Sequence, residues 1–315
     1  MSDRSQPAII AEQLTKSFPG VQAVQGLSFE VRGGEIFGLV GPDGAGKTTT
    51  LRMLAGILPP DAGKASIAGF DVVHDPERAK HDLSYMPQRF GLYEDLTVDE
   101  NIRFYADLFG VRSAERERRS AELLRAANMS EFRKRLAGKL SGGMKQKLGL
   151  VCALIHRPKV ILLDEPTTGV DPVSRRDFWR ILYDLVAEGV AILTSTAYLD
   201  EAARCHRVAL LNEGRLLFCD TPANLTAKLG KDVLSISSPD GRRLRSQIEH
   251  ADGVSSLVLT GDGVHVVVDD ARRRIPEFEA RLKQAGVPFD AVQQVAPTIE
   301  DLFVAVVTGG EWPHA

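Results

Sequence analysis

The sequence has few cysteines, and those it has are not arranged for a metal site or a disulfide framework. Cys152, Cys205 and Cys219 stand singly in a chain of 315 residues. Zinc ribbons and disulfide scaffolds need cysteines in closely spaced pairs. Both are therefore excluded, and the three thiols are predicted to be small buried apolar groups in a reducing compartment.

The sequence also lacks long apolar runs and an excess of basic charge. No uninterrupted apolar segment reaches the roughly 20 residues that cross a bilayer, and the N-terminal residues lack the apolar core of a signal peptide. A formal net charge of −3 gives no sign of the basic surface that binds nucleic acid. We expect no signal peptide, no transmembrane segment and no nucleic-acid partner, so that any membrane location depends on a partner protein.

What the sequence does contain is a complete phosphate-binding loop. Residues 41–48 read GPDGAGKT, which fits G-x-x-x-x-G-K-[ST], and they lie between a predicted strand and a predicted helix start. Backbone N–H groups of such a loop, with the helix N-terminus behind them, surround phosphate oxygens. Lys47 is predicted to reach the β- and γ-phosphates, and the Thr48 hydroxyl to ligate Mg²⁺. The residues predicted to bind ATP here are Gly41, Asp43, Gly44, Ala45, Gly46, Lys47, Thr48 and Thr49.

An apolar strand ending in two carboxylates follows further along the chain. Val160–Leu163 is typical of a buried parallel strand, and Asp164 and Glu165 come directly after it. Asp164 is predicted to hold the Mg²⁺ shell. Glu165 is predicted to act on the γ-phosphate as general base or water-positioning group, with Lys47 as a further catalytic residue.

A second helix start suited to anions lies between these two motifs. Residues 140–147 read LSGGMKQK, so that Ser141, Gly142 and Gly143 precede a helical run. Two phosphate-binding helix starts about a hundred residues apart are difficult to explain with one nucleotide. They are consistent with a second start that binds a nucleotide held by another subunit.

In order and spacing these motifs are similar to those of the ATP-binding-cassette (ABC) ATPases, over roughly residues 7–225. LSGGMKQK resembles the signature motif of that family, which closes over the nucleotide bound to the opposite protomer. The resemblance implies that Phe18 stacks on adenine, that Gln88 of a glutamine loop senses the γ-phosphate and ligates Mg²⁺, and that Asp171 belongs to a loop at the dimer interface. It also implies ATP and Mg²⁺ as cofactors, a second cassette, and integral-membrane permease subunits as partners.

Two positions depart from the family pattern. Asp43 stands where the family usually has asparagine, and we expect its carboxylate to point outward, towards the partner protomer. Ala197 stands where the family has its switch histidine. His206, nine residues further on and predicted to be helical, cannot replace it simply. The chain's own site is therefore expected to turn over slowly, which favours a heterodimer slightly over a homodimer.

The predicted fold class is α/β, with a smaller α+β domain at the C-terminal end. Residues 1–228 are predicted to form a P-loop NTPase cassette, in which a mixed or parallel sheet carries an antiparallel β subdomain and a helical subdomain at about 90–155. Residues 229–315 are predicted to form a βαββαβ ferredoxin-like domain with its last strand at 287–295. The PTIEDLF sequence at 297–303 is similar to the C-terminal extension of drug-resistance-type ABC exporters.

The leading hypothesis is an ATP-binding and hydrolysing subunit of an ABC-type exporter, peripheral on the cytoplasmic face of the membrane and working with separate permeases. A regulatory or degenerate cassette of a heterodimeric transporter, with weak hydrolysis, is kept open by Ala197. A soluble cassette protein acting on ribosomes or DNA is a third reading, and an importer ATPase is a nearer alternative. The transported substrate stays open, because the permease lines its pathway.

Overall fold

The computed structural model describes residues 6–309, which form two compact units. The first contains the chain up to Tyr198 together with Cys205–Leu216. The second contains Leu199–Arg204 and the chain from Leu217 onward. The main division falls after residue 216, whereas the predicted boundary was at residue 228. It falls earlier because two short helices, at Leu199–Ala202 and Pro222–Ala227, pack against the helix at Ile299–Gly309.

The chain alternates between strands and helices up to residue 220. In order, these elements are β1 (Pro7–Phe18), β2 (Val21–Arg32), β3 (Ile36–Val40), α1 (Lys47–Leu54), β4 (Ala62–Ile67), β5 (Phe70–Asp71), α2 (Pro76–His81), β6 (Leu83–Met86), α3 (Val98–Leu108), α4 (Ser113–Ala126), α5 (Gly142–Leu154), β7 (Val160–Asp164), α6 (Pro172–Ala187), β8 (Ala191–Thr196), α7 (Leu199–Ala202), β9 (Arg207–Asn212) and β10 (Arg215–Asp220).

A parallel sheet with the strand order β9-β3-β8-β7-β6 forms the core of the first unit. The β3–β8, β3–β9, β7–β8 and β6–β7 pairs are parallel. Every residue of β3, β7 and β8 is buried, as expected of parallel strands covered on both faces. Because parallel strands end at the same edge, residue 41, Asp164 and Thr196 are brought to one side of the sheet.

Two further substructures complete the first unit. An antiparallel sheet has the order β2-β1-β4-β5. A helical region contains α3, α4 and α5, within the range predicted for it. Its helix α3 begins with a reciprocal capping box, in which the Glu100 N–H donates to Thr97 Oγ1 (3.3 Å) and the Thr97 N–H donates to Glu100 Oε2 (2.8 Å). No helix in residues 6–309 combines the length and the apolar character that crossing a membrane requires.

The second unit is built on an antiparallel sheet. Its elements beyond α7 are α8 (Pro222–Ala227), β11 (Asp232–Ser237), α9 (Gly241–Ile248), β12 (Val254–Leu259), β13 (Gly263–Val268), α10 (Ala271–Gln284), β14 (Val292–Val295) and α11 (Ile299–Gly309). The strand order is β12-β13-β11-β14. One sheet face packs with α9 and α10 into an apolar core, and α11 packs against β12 and β13.

The predicted strand at 287–295 is wrong in its first half. Only Val292–Val295 pairs with the sheet. Pro288 has no N–H to donate to a neighbouring strand, and its carbonyl accepts a hydrogen bond from Ser238 Oγ at 2.6 Å. Val287 is buried in the apolar core, so this segment is fixed by packing and by a side-chain bond rather than by sheet pairing.

Candidate nucleotide site

The phosphate loop connects β3 to α1 and has a backbone that only glycine tolerates. Gly46, the residue before α1, has a φ of 96°, and a Cβ there would collide with the carbonyl oxygen of Ala23. The Gly41 N–H donates to the carbonyl of Thr196 at 3.3 Å. The loop is therefore attached to the end of β8, the strand that leads to Ala197.

Lys47 lies inside this loop and is only 4% exposed. Its ammonium donates to the carbonyl oxygens of Gly41 (2.8 Å) and Pro42 (3.0 Å), and lies 3.3 Å from Glu165 Oε1. A buried ammonium surrounded by oxygens, at the start of a helix, is placed to receive the oxygens of a polyphosphate.

Asp164 is the centre of a buried polar network at the end of β7. Its Oδ1 accepts hydrogen bonds from the hydroxyls of Thr48 (2.9 Å) and Ser195 (2.7 Å), and its Oδ2 accepts from the Tyr85 phenol at 3.3 Å. Burial, with a further contribution from the Asp164 charge, raises the pKa of Tyr85 to about 12. The phenol thus stays protonated and donates to the carboxylate.

Glu165 is held by its backbone as well as by its side chain. Its φ of 48° lies in the left-handed region, and its N–H donates to Ser195 Oγ at 3.0 Å. Its Oε2 accepts from Gln88 Nε2 (3.0 Å) and from the Thr168 hydroxyl (3.4 Å). A non-glycine residue held at positive φ at the edge of a sheet is typical of functional sites. The network connects Gln88 directly to Glu165.

The residues around the loop have the chemistry that a magnesium–nucleotide complex requires. Mg²⁺ is usually bound by one or two carboxylates together with substrate phosphates and water. Thr48, Asp164 and Gln88 supply a hydroxyl, a carboxylate and an amide within one network. Within the described residues no group of three or more histidine, cysteine or acidic side chains could hold a metal by itself. This donor set suits a cation that is shared with phosphate oxygens.

The other residues predicted to bind the nucleotide lie around this centre. Phe18 is 44% exposed at the end of β1, with Lys16 Nζ 6.0 Å from its ring centroid. Asp43 and Gly44 are exposed in the loop, whereas Ala45 is buried and Thr49 is half-buried. The exposure of Asp43 is compatible with the expected outward orientation of its carboxylate, which stays a prediction. Adenine stacking on Phe18 stays a prediction.

The signature motif begins a separate helix. Ser141 Oγ caps α5 by accepting from the Met144 N–H at 3.3 Å, and Gly142 is exposed beside it. Gly143 lies so close to Ser174 that a Cβ would be 2.5 Å from that side chain. The signature helix is therefore fitted against the start of α6.

Asp171 caps α6 at the same place. Its Oδ1 accepts from the N–H groups of Val173 (3.1 Å) and Ser174 (2.9 Å). Hydrogen bonding, first of all from the Ser174 N–H, lowers the pKa of Asp171 below its ordinary value. Asp171 is thus placed next to the signature motif by helix capping, and its side chain is committed to the backbone of α6.

Ala197 follows β8 directly and is exposed. The Tyr198 N–H donates to Thr196 Oγ1 at 3.0 Å, which turns the chain after the strand. His206 lies in a bend rather than in the predicted helix, and its Nδ1 accepts from the Ile36 N–H at 3.1 Å. Ile36 is at the opposite end of β3 from the loop, about 13 Å away at about 3.3 Å per strand residue. His206 therefore cannot take the place of a histidine at position 197.

Two residues of the polar network were given no role from the sequence. Ser195 and Tyr85 both donate to Asp164, and Ser195 also accepts from Glu165. The sequence signal was only that each follows or ends an apolar strand; joining them to Asp164 requires the strand order, in which β8 lies beside β7 and Ser195 is paired with Asp164. Polar residues at adjoining ends of parallel strands point to one site.

Comparison with known proteins identifies the family. Residues 24–168 match the family model described as ABC transporter. The chain is 39% identical over 304 residues to a Nod factor export ATP-binding protein I of Burkholderia thailandensis, covering 95% of this chain and 96% of the relative. It is 45% identical over 300 residues to the probable multidrug ABC transporter ATP-binding protein YbhF of Escherichia coli. That match covers 94% of this chain, which spans about half (51%) of the relative's length.

Solved structures agree on the fold. An ATP-binding subunit of an ABC transporter matches with a TM-score of 0.65 and 32% identity, over 71% of this chain and 93% of that one. MJ0796, a bacterial ABC transporter cassette solved as a dimer, matches with a TM-score of 0.62 and 25% identity, over 68% of this chain and 98% of that one. The predicted P-loop NTPase cassette fold is confirmed, and the chain belongs to the ABC transporter family of ATP-binding proteins.

Proposed function

We propose that this chain is the ATP-binding and hydrolysing subunit of an ABC-type exporter, working with separate membrane permease subunits at the cytoplasmic face of the membrane. One observation supports the ATPase most strongly. The Thr48–Asp164 bond (2.9 Å) and the Lys47–Glu165 ion pair (3.3 Å) bring both carboxylates of β7 to the start of α1. That is where a nucleotide's phosphates and a nucleophilic water have to meet.

In this proposal the phosphate loop, together with residues around it, binds and orients ATP. The backbone N–H groups at the start of α1 and the Lys47 ammonium bind the phosphates, and Phe18 stacks on the adenine. Thr48, Asp164 and Gln88 hold Mg²⁺, which neutralises phosphate charge when it is bound. Because Lys47 is buried, its charge acts in a low-dielectric environment and is weakly screened by salt.

Glu165 accepts a proton from the attacking water or positions it. Gln88 and Thr168 each donate to Glu165 Oε2, which fixes the orientation of the carboxylate. Ala197 has a methyl group where a histidine could hydrogen-bond the γ-phosphate. Rotational freedom of the water is then limited by Glu165 alone, so the chain's own site hydrolyses ATP slowly.

A second cassette completes the assembly. Ser141 and Gly142 are exposed at the start of α5, with backbone N–H groups available to a phosphate outside the chain. The relative MJ0796 has been solved as a dimer, which supports pairing in the family. We favour a partner that carries the switch histidine, so that this chain's signature serves the faster site of an unequal pair.

An aromatic cluster close in sequence to Gln88 is our candidate for the permease contact. The rings of Phe90, Tyr93, Phe104 and Tyr105 contact one another in tilted and edge-to-face pairs, with ring centroids 4.6–5.4 Å apart. Tyr93 is 47% exposed and Phe104 is 40% exposed. Exposed aromatic side chains that are already ordered by their neighbours suit a protein interface. The names of the relatives support a role in export. Because those names concern different substrates, we propose no substrate for this chain.

A second candidate function has support from Ala197. A regulatory cassette would bind ATP at the intact loop and hydrolyse it negligibly even beside a partner. The two functions differ in one result. A motor subunit hydrolyses ATP at its own site and loses that hydrolysis when Glu165 is changed, whereas a regulatory cassette has negligible hydrolysis with or without Glu165.

Purification from detergent-solubilised membranes tests the transporter proposal. The wild-type chain is expected to co-purify with a polytopic membrane protein. A variant with Tyr93→Ala and Phe104→Ala is expected to lose it, whereas Val73→Ala, at an exposed apolar side chain outside the cluster, retains it. Failure of the wild-type chain to retain any membrane protein would contradict the transporter role. Full retention by the double variant would contradict the aromatic docking site alone.

A further inference from the structure

The second unit has a cavity of about 610 Å³ on the sheet face opposite its apolar core. Its floor is the cross-strand pair Val258 and His265. Apolar walls come from Leu199 after β8, from Ala223 in α8 and from Ile299 at the start of α11. The volume lies within the roughly 300–1,000 Å³ of small-molecule sites, and all of the lining residues belong to one compact unit.

A buried hydroxyl on the same sheet face lacks a hydrogen-bond partner. Ser256 is two residues from Val258 on the same strand face, and it is only 8% exposed. Its hydroxyl has no hydrogen-bond partner within the described part of the chain. Buried polar groups are normally satisfied, so an unsatisfied one next to a cavity is notable.

The lining carries more negative than positive charge. The lining contains three acidic side chains, Asp200, Glu300 and Asp301. His265 is the only side chain of the lining that can be cationic. Asp301 is fully buried and accepts from the Thr298 N–H and hydroxyl, each at 2.8 Å, with His265 Nδ1 3.3 Å away. Burial, then the neighbouring charges of Asp301 and Asp200, raise the pKa of Glu300 above its ordinary value.

Anions and metal ions fit this lining poorly. The Thr298–Asp301 capping box already uses the N–H groups of Thr298 and Asp301, and the acidic residues of the lining repel an anion. In residues 6–309 no acidic or histidine cluster is arranged to hold a metal. An apolar molecule with one positive group would satisfy both the walls and the carboxylates.

We propose that this cavity binds a small amphipathic organic cation, with its apolar body over Val258 and Ile299 and its ammonium facing Glu300 and Asp200. The lining contains none of the residues predicted to bind the nucleotide. Because α7 begins two residues after Ala197 in the chain, the occupant would contact the segment that follows the switch position.

Binding of 1-naphthylmethylamine, compared with its neutral analogue 1-naphthylmethanol, tests the proposal in the full-length chain. Calorimetric titration is expected to show saturable binding of the amine with a dissociation constant below about 1 mM, and at least about tenfold weaker binding of the alcohol. Equal affinity for the two probes, or no saturable binding of the amine, would overturn it.

Matched variants locate the binding. Ala223→Phe fills the cavity and is expected to abolish amine binding, whereas Ala227→Phe, exposed on the same helix and outside the lining, leaves it unchanged. Glu300→Gln is expected to weaken amine binding about threefold to tenfold, and Glu279→Gln on α10 to have no effect. Amine binding that survives Ala223→Phe would place the probe elsewhere and refute the site.

Discussion

The two helices whose N-termini are suited to phosphate differ in how complete their surroundings are. At the start of α1, Lys47 is 4% exposed and Glu165 is 13% exposed, and each is held by bonds within the chain. At the start of α5, Ser141 and Gly142 are exposed, and the Ser141 hydroxyl accepts a hydrogen bond from the Met144 N–H of its own helix. The first region, which contains Lys47, Asp164 and Glu165 and is called the cradle below, is enclosed and has its own acid–base groups. The second is a donor surface without them.

This difference supports our proposal that the two regions act on different nucleotides. A cradle that already contains its lysine and carboxylates can bind ATP alone, whereas a bare helix N-terminus contributes only when a phosphate is brought to it. Ala197 lies next to the first region, since Gly41 of the loop is bonded to Thr196. In our proposal the missing imidazole affects the chain's own nucleotide and leaves the signature surface unchanged.

The largest effect is expected from removing the carboxylate charge at Glu165. Glu165→Gln keeps the shape of the side chain but cannot accept a proton, so hydrolysis by the isolated chain should fall about 10²–10⁴-fold while ATP binding persists. Glu188→Gln, an exposed acid at the end of α6, is the control. Trapped ATP is measured after gel filtration. Hydrolysis that is unchanged in Glu165→Gln would remove this residue from the catalytic site.

Loss of the buried ammonium should weaken nucleotide binding rather than turnover alone. Lys47→Ala leaves phosphate oxygens without their buried partner, and ATP affinity is expected to fall about 100-fold, or ~3 kcal/mol. Lys159→Ala, which removes an exposed lysine paired with Asp82, should leave affinity unchanged. Fluorescent ATP titration measures both. An unaltered affinity in Lys47→Ala would contradict the cradle assignment.

A change in the signature should leave the chain's own binding intact. Ser141→Ala removes a helix cap, which costs about 1 kcal/mol of stability, and it is expected to lower hydrolysis of the assembled pair about tenfold. Thr221→Ala removes a cap of the same kind from α8, where Thr221 Oγ1 accepts from the Asn224 N–H at 3.2 Å, and is the matched control. Weakened ATP binding by the isolated Ser141→Ala chain would break the distinction between the regions.

The phosphate loop could be predicted from the sequence because its backbone conformation is determined by neighbouring residues. The glycines of the loop, the buried strand before it and the helix after it are contiguous, and each requirement is set by neighbouring residues. The acid pair was predictable for the same reason, since Asp164 and Glu165 end an apolar strand. Their roles as Mg²⁺ ligand and base remain predictions.

The features that could not be predicted depend on which elements become neighbours in the folded chain. Ser195 joins Asp164 only because β8 is a neighbour of β7, and sequence order does not give strand order. His206 was expected in a helix, but its ring is used to accept the Ile36 N–H at the start of β3. The grouping of α7 and α8 with the second unit depends on α11, about 70–100 residues further along the chain.

The most direct test of the account is the ATPase rate of the isolated chain and of Ala197→His, with Ala197→Leu as a control for side-chain size. We expect slow hydrolysis by the wild type, an increase of at least about tenfold in Ala197→His, and no increase in Ala197→Leu. ATP affinity should be the same in all three. Brisk hydrolysis by the wild-type chain that Ala197→His does not change would contradict the claim that its own site is the slow half of an unequal pair.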